Sequence, residues 1–202
     1  MTNVAQATYM GEDLIIQCDS RWDCCQREQA KHKCRAMNAN VPGAGLRSTL
    51  STALNAQKKA AQSMATQRMD NSTPGERAED AEEGGAAPCL VKKLRDGGDR
   101  AGLKLEMDHP LDCKLGGATM PAVMMPLDVV VNNAFGGFAK NVAKRMAKVG
   151  VTELKSISLY CPPSYPGCPG ESHSEGKHKT FPSHWWKTPF ARMKGMGSFL
   201  VH

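Results

Sequence analysis

Apolar positions along the chain recur at two spacings, and each spacing predicts one kind of element. Leu46, Leu50, Ala53, Leu54, Ala61 and Met64 fall at helical intervals, interrupted by Gln57, and predict a helix over 46–69. Phe138, Val142, Met146 and Val149 make a second helical stripe over 138–149, closed by Gly150. The stretch 21–37 lacks Gly and Pro. Trp22, Cys25, Gln29 and Lys33 share a rough stripe there, so a weakly amphipathic helix is expected behind the N-cap candidates Asp19 and Ser20. A short helix is expected over 87–94, ending at Gly97-Gly98. Alternation takes over in 102–107 and predicts a strand that delivers Asp108 and His109 to its end, where Pro110 withdraws a backbone donor. Residues 151–160 suggest another strand, and 13–17 either a strand or a helix start. Met120-Pro121 and Met125-Pro126 mark 118–127 as an irregular crossing. The expected fold class is mainly α, an α+β chain with small strand elements: a compact helical domain with an irregular Cys/His/Pro-rich C-terminal tail. Trp185, Trp186 and Phe190 would anchor that tail, and His184 beside the tryptophans could help them stack on bases.

Charge sharpens the division of the chain. Residues 1–91 carry 10 Lys/Arg against 11 Asp/Glu, a net of −1, and residues 92–202 carry 16 against 9, a net of +7. Between the halves, 70–88 opens on Asn71-Ser72-Thr73-Pro74-Gly75 and carries Glu76, Glu79, Asp80, Glu82 and Glu83. It is expected to be an acidic loop or linker. The organisation expected is a helical part over 1–69, the acidic segment over 70–88 and a basic part over 89–202, together one domain over about 20–202. A basic half attracts polyanions. No apolar run approaches the roughly 18 residues of a membrane span, and Met1 to Gln17 lacks the basic start and apolar centre of a signal peptide. The eight cysteines have no CxxC pair, so most are expected to be buried thiols, with Cys161 and Cys168 the candidates for a bridge or a metal.

The candidate chemistry lies in 106–112, where Glu106, Asp108 and Asp112 surround His109, followed by Lys114 and Gly116-Gly117. A histidine titrating near neutrality is a natural general base. Carboxylates are hard ligands for Mg²⁺ or Mn²⁺. In a turn begun by Pro110, His109 and Asp112 would share a face, so Asp112 could orient the imidazole or bind metal. Glycines at 116 and 117 would let the backbone approach a phosphate. Asn132 and Asn133, ahead of a glycine pair and a helix, could ligate a metal or position His109. The candidate catalytic set is therefore His109, Asp112, Asp108 and Asn132, and the candidate metal set Asp108, Asp112 and Asn133. Lys140, Lys144 and Lys148, at four-residue spacing, with Arg145 beside them and Lys114 nearby, form a candidate DNA-binding face.

The run Met107 to Gly117, followed by Pro126-Leu127-Asp128 and Asn132, resembles the novel toxin 15 family of bacterial polymorphic toxins. Its HxxD pattern is His109-Pro110-Leu111-Asp112. The order Asp-His, Gly-Gly, Asn before a helix also resembles the His-Asn-His nuclease motif, although no histidine lies between Asn133 and Gly150. The family resemblance covers most of 20–150. It implies a mostly helical fold and metal-dependent DNA cleavage, with His109 and Asp112 essential. It also implies delivery among other routes as a type VI secretion DNase effector, without a signal peptide, into the cytoplasm of a target bacterium. A cognate immunity protein, and a secretion chaperone or carrier, are the implied partners, with no membrane role. Other readings are an RNase toxin and a non-catalytic nucleic-acid-binding module stabilised by zinc. For zinc the candidate ligands are Cys161, Cys168, His173 and His178, or a cluster of Cys24, Cys25, His32 and Cys34.

Overall fold

The computed structural model describes residues 7–10, 13–97, 104–161 and 168. The order is β1 (Ala7–Met10), β2 (Asp13–Gln17), α1 (Cys24–Ala39), α2 (Thr52–Asn71), α3 (Pro74–Glu83) and α4 (Pro88–Arg95). Then come β3 (Leu105–Asp108), a 3-10 turn (Cys113–Leu115), β4 (Met125–Asp128), α5 (Val129–Lys148) and β5 (Ser156–Tyr160). The fold is mainly α with small strand elements, as the sequence pattern leads one to expect.

β2 is central in a three-stranded sheet, antiparallel to β1 and parallel to β5. Its alternation puts Leu14 and Ile16 inward with no exposed surface, against Ile157 of β5 and the buried faces of α1 and α5. Phe135 of α5 lies between Trp22, stacked at 6.5 Å, and Phe138, tilted at 5.2 Å. β3 and β4 form a separate antiparallel pair, with Asp108 opposite Met125. A second core joins α3 to α4 through Ala78, Ala81, Leu90, Val91 and Leu94.

Several expectations change. α1 starts at Cys24 behind Asp23, which forms a capping box with Gln26, while Asp19 instead binds the backbone and guanidinium of Arg21. The acidic stretch is helical rather than a loop: Thr73 and Glu76 form a capping box, Pro74 takes the first turn, and two alanines face α4. α5 begins at Val129, nine residues before the expected start, because Asp128 caps it and Val131 and Phe135 are buried. Asn132 and Asn133 therefore lie in its first turns, not in a preceding loop. Its apolar stripe ends at Met146, since Val149 is exposed. Met125-Pro126 belongs to strand β4 rather than to an irregular crossing.

The stripe expected on α2 does not become core. Only Met69 of its 20 residues is buried, and Met64 is 62% exposed. α2 instead borders a methionine-lined hollow of ≈ 230 Å³, with Met64, Met69, Met107, Met120 and Met124 on its walls. Among the described residues no helix is long and apolar enough to cross a membrane.

Six cysteines are bridged, not free thiols: Cys18–Cys161, Cys24–Cys168 and Cys25–Cys89. Cys161 and Cys168 are each bridged, but not to one another. Separations of 143 and 144 residues hide the first two pairings from local spacing, and the parallel β2–β5 contact is what brings Cys18 beside Cys161.

Candidate functional site around His109

β3 carries Asp108 and His109 to its C-terminal end, where both side chains are buried, His109 with no exposed surface. The imidazole Nε2 lies 3.0 Å from the carbonyl oxygen of Thr119. A carbonyl only accepts, so Nε2 carries the proton of the neutral ring and Nδ1 holds a lone pair. Nδ1 is buried and has no hydrogen-bond partner among the described residues. Burial lowers the pKa of His109 below 6.5; the Thr119 bond and Asp108 act in the opposite sense, and the charges of Lys58 and Lys33 add to the lowering. The ring is thus a neutral base around pH 7, held by Thr119 and not by Asp112 as the HxxD spacing suggested.

Asp112 has two other tasks. Its side chain caps the 3-10 turn by accepting from the backbone N–H of Lys114 at 2.8 Å, and it pairs with Lys58 of α2 at 3.2 Å. Burial by itself would lower the pKa of Lys58, but the charge and hydrogen bond of Asp112 outweigh it and leave the ammonium raised. Gln57 accepts from the Thr119 hydroxyl at 2.9 Å, and Gln62 donates to the Met107 carbonyl at 3.3 Å. Three polar tethers therefore strap a helix with little buried surface across the loop that carries His109.

Asp108 is paired with Lys33 of α1 at 2.6 Å, and the same ammonium donates to the His109 carbonyl. Asn132 donates to Glu106 at 2.5 Å, and Asn133 is exposed on α5. The set Asp108, Asp112 and Asn133 does not fit a divalent cation in this arrangement, because each carboxylate is already neutralised by an ammonium group. Among the described residues no three His, Cys, Asp or Glu side chains gather into a metal-holding group.

The backbone itself requires the glycine pair. Gly116 has φ +102°, and a Cβ there would meet Ala44 at 2.7 Å; a Cβ on Gly117 would lie 1.9 Å from the Leu111 carbonyl oxygen. Arg47 fastens the same turn by donating to the carbonyls of Gly117 and Cys113.

The basic face lies next to this turn, since α5 packs against it. Lys114 has its pKa lowered by partial burial and then by the charges of Lys140, Lys58 and Lys144, with Asp112 opposing. These four ammonium groups thus share one field. Lys148 is exposed farther along α5, and Arg145 is half-buried.

Among the described residues, most of the cysteines proposed for zinc are committed to disulfides. Cys161 and Cys168 are disulfide-bonded, and His173 and His178 lie outside the described residues, as do His184, Trp185, Trp186 and Phe190. Cys24 and Cys25 are also bridged, and burial pushes Cys34 up to about 12. Cys113, inside the motif, is buried and its pKa is likewise raised, so it is no thiolate nucleophile at neutral pH. Sequence spacing missed Lys33, Lys58 and Thr119, for which no local pattern exists. No known protein family, curated protein or solved structure matches the chain.

Proposed function

We propose that the chain is an antibacterial toxin nuclease that hydrolyses DNA phosphodiester bonds with His109 as general base. The observation that carries this reading is the imidazole itself: a neutral ring fixed by Thr119, whose Nδ1 lone pair has no partner among the described residues, on a loop whose Asp112 is paired with Lys58, a member of the lysine field. Nδ1 would take a proton from water as the water oxygen bonds to phosphorus. The leaving oxygen departs and takes its proton from solvent. The Thr119 carbonyl, already bound to Nε2–H, stabilises the imidazolium that forms. Lys114, Lys140 and Lys144 would hold the phosphate backbone, whose attraction is electrostatic and falls with salt.

Two features set conditions on this chemistry. His109 has no exposed surface, so substrate reaches it only after a local opening. We take α2 as the element that lifts, because it is tied to Asp112, Thr119 and Met107 around His109 and has little buried surface holding it down. The resemblance implies Mg²⁺ or Mn²⁺, but with Asp108 and Asp112 paired to lysines, the steps above use only the chain's own groups. Disulfides form in oxidising surroundings, which suits a protein that spends time outside a cytoplasm before acting in a target bacterium. A cognate immunity protein would cover the lysine field or hold α2 down.

The test is incubation of the oxidised protein with plasmid DNA and with RNA, with Mg²⁺, Mn²⁺ or EDTA. DNA breakdown supports the reading. Breakdown of RNA alone moves it to an RNase toxin. Salt-dependent binding without turnover in any arm overturns catalysis.

A further inference from the structure

We propose that Lys33 is a positioning residue for His109, and that Asp108 serves as its clasp rather than as a metal ligand. The inference rests on the reading of His109 as the base. Lys33 projects from α1, 76 residues before His109, and its side chain is 1% exposed. Its ammonium holds the Asp108 carboxylate at 2.6 Å and the carbonyl of His109 as well. The first contact holds the side chain of the residue before His109 and the second the backbone carbonyl of His109 itself, so the segment is gripped on both sides of the His109 α-carbon. The Thr119 carbonyl fixes the ring, so the backbone and the imidazole are pinned from separate elements.

Lys33 does not act alone. Gln26, Gln29 and Lys33 lie three and four residues apart, on one face of α1. Gln29 accepts from the backbone N–H of Asp128 at 2.7 Å, and Gln26 donates to the Asp128 carboxylate at 3.3 Å. One polar row thus grips the ends of both strands of the β3–β4 pair, Asp108 on one and Asp128 on the other. A buried ion pair is weak support for stability, and packed apolar groups of similar size often replace one without loss. The core stripe of α1 would accept Met or Leu at position 33. What an apolar side chain would not supply is a donor to the His109 carbonyl.

The decisive variant is Lys33→Met with Asp108→Leu in the full oxidised chain, with circular dichroism and intact disulfides as the check on folding. DNA affinity by fluorescence anisotropy is expected to stay within about twofold, because the lysine field is untouched. The turnover number on plasmid DNA is expected to fall at least about tenfold, and the slowly exchanging Nε2–H signal of His109 in the NMR spectrum is expected to be lost. Wild-type turnover with an unchanged signal would overturn the proposal. If the double variant fails to fold, Lys33→Arg keeps the charge but changes the donor geometry. It should shift the His109 signal and lower turnover without changing affinity, and an unshifted signal overturns the proposal. The NMR arm does not depend on cleavage: an inactive wild type whose His109 signal still depends on Lys33 sinks the nuclease reading and supports the clasp.

Discussion

The ammonium of Lys58 sits 3.2 Å from the carboxylate of Asp112, tying the exposed helix α2 to the loop that carries His109. With Gln57 on Thr119 and Gln62 on Met107, it makes α2 a cover held mainly by polar bonds.

Removing two of those bonds should open the cover. Each is worth about 0.5–1.5 kcal/mol, so Gln57→Ala with Gln62→Ala should raise the open population roughly tenfold. Amide exchange over Thr52–Asn71 should speed up accordingly, and His109 should react faster with diethyl pyrocarbonate. Equal rates in the variant and the wild type would show that α2 is fixed in some other way.

Acid should weaken the fold through His109. Its pKa is lowered in the folded chain relative to 6.5. As pH falls below that value the unfolded chain takes up a proton that the folded chain refuses, and stability drops until the folded pKa is passed. Above about pH 6.5 the ring is neutral in both states and contributes no slope. Urea midpoints between pH 7 and 5 should therefore fall, and His109→Gln should flatten part of that fall. His32, whose pKa burial also lowers, adds a slope of the same sign that His109→Gln leaves in place. The base should also stay active below pH 6.5, with the acid limb of cleavage displaced downward.

Gly117 and Gly136 should respond in opposite ways to alanine. A Cβ at Gly117 would strike the Leu111 carbonyl, whereas one at Gly136, inside α5, meets nothing within 4 Å. Gly117→Ala should cost more than about 3 kcal/mol. Gly136→Ala should gain about 0.5–1 kcal/mol through helix propensity. Thermal melts of the two variants check both signs.

Reduction should destabilise the domain strongly. Cys18–Cys161 and Cys24–Cys168 each close most of the chain into a loop, and loss of one native bridge costs about 2–5 kcal/mol. Melts with and without dithiothreitol should differ by many degrees. A reduced chain as stable as the oxidised one would mean that the bridges contribute nothing to the fold.

What could be read from the sequence follows from the range of the forces involved. α4 announces itself because its apolar residues Leu90, Val91 and Leu94 are its buried face. α1 is legible from its lack of Gly and Pro, although its buried apolar residues Ala30, Cys34 and Met37 lie off the stripe expected there. β3 is legible from alternation, although only Asp108 of it is buried. α3 hides because its buried face is Ala78 and Ala81, two small residues among carboxylates. The first turns of α5 hide because Val129-Val130-Val131 and the Asn and Gly pairs disfavour helix, and burial of Val131, Phe135 and Phe138 overrides them. α2 misleads in the other sense, since its regular stripe finds no core. At the site, His109 and Asp112 stand out in the sequence. Their partners do not: Lys33 and Lys58 arrive from 76 and 54 residues away, so the roles assigned to Asp108 and Asp112 by spacing alone were those of free carboxylates.

The role of His109 as general base is measured by cleavage of plasmid DNA by the oxidised wild type beside His109→Ala, both shown to be folded by circular dichroism. The wild type should degrade the plasmid, and the variant should be slower by about 10²–10⁴-fold, the range a general base supplies. Equal cleavage by the two proteins, or a folded wild type that leaves DNA intact with Mg²⁺, Mn²⁺ and EDTA alike, would contradict that role.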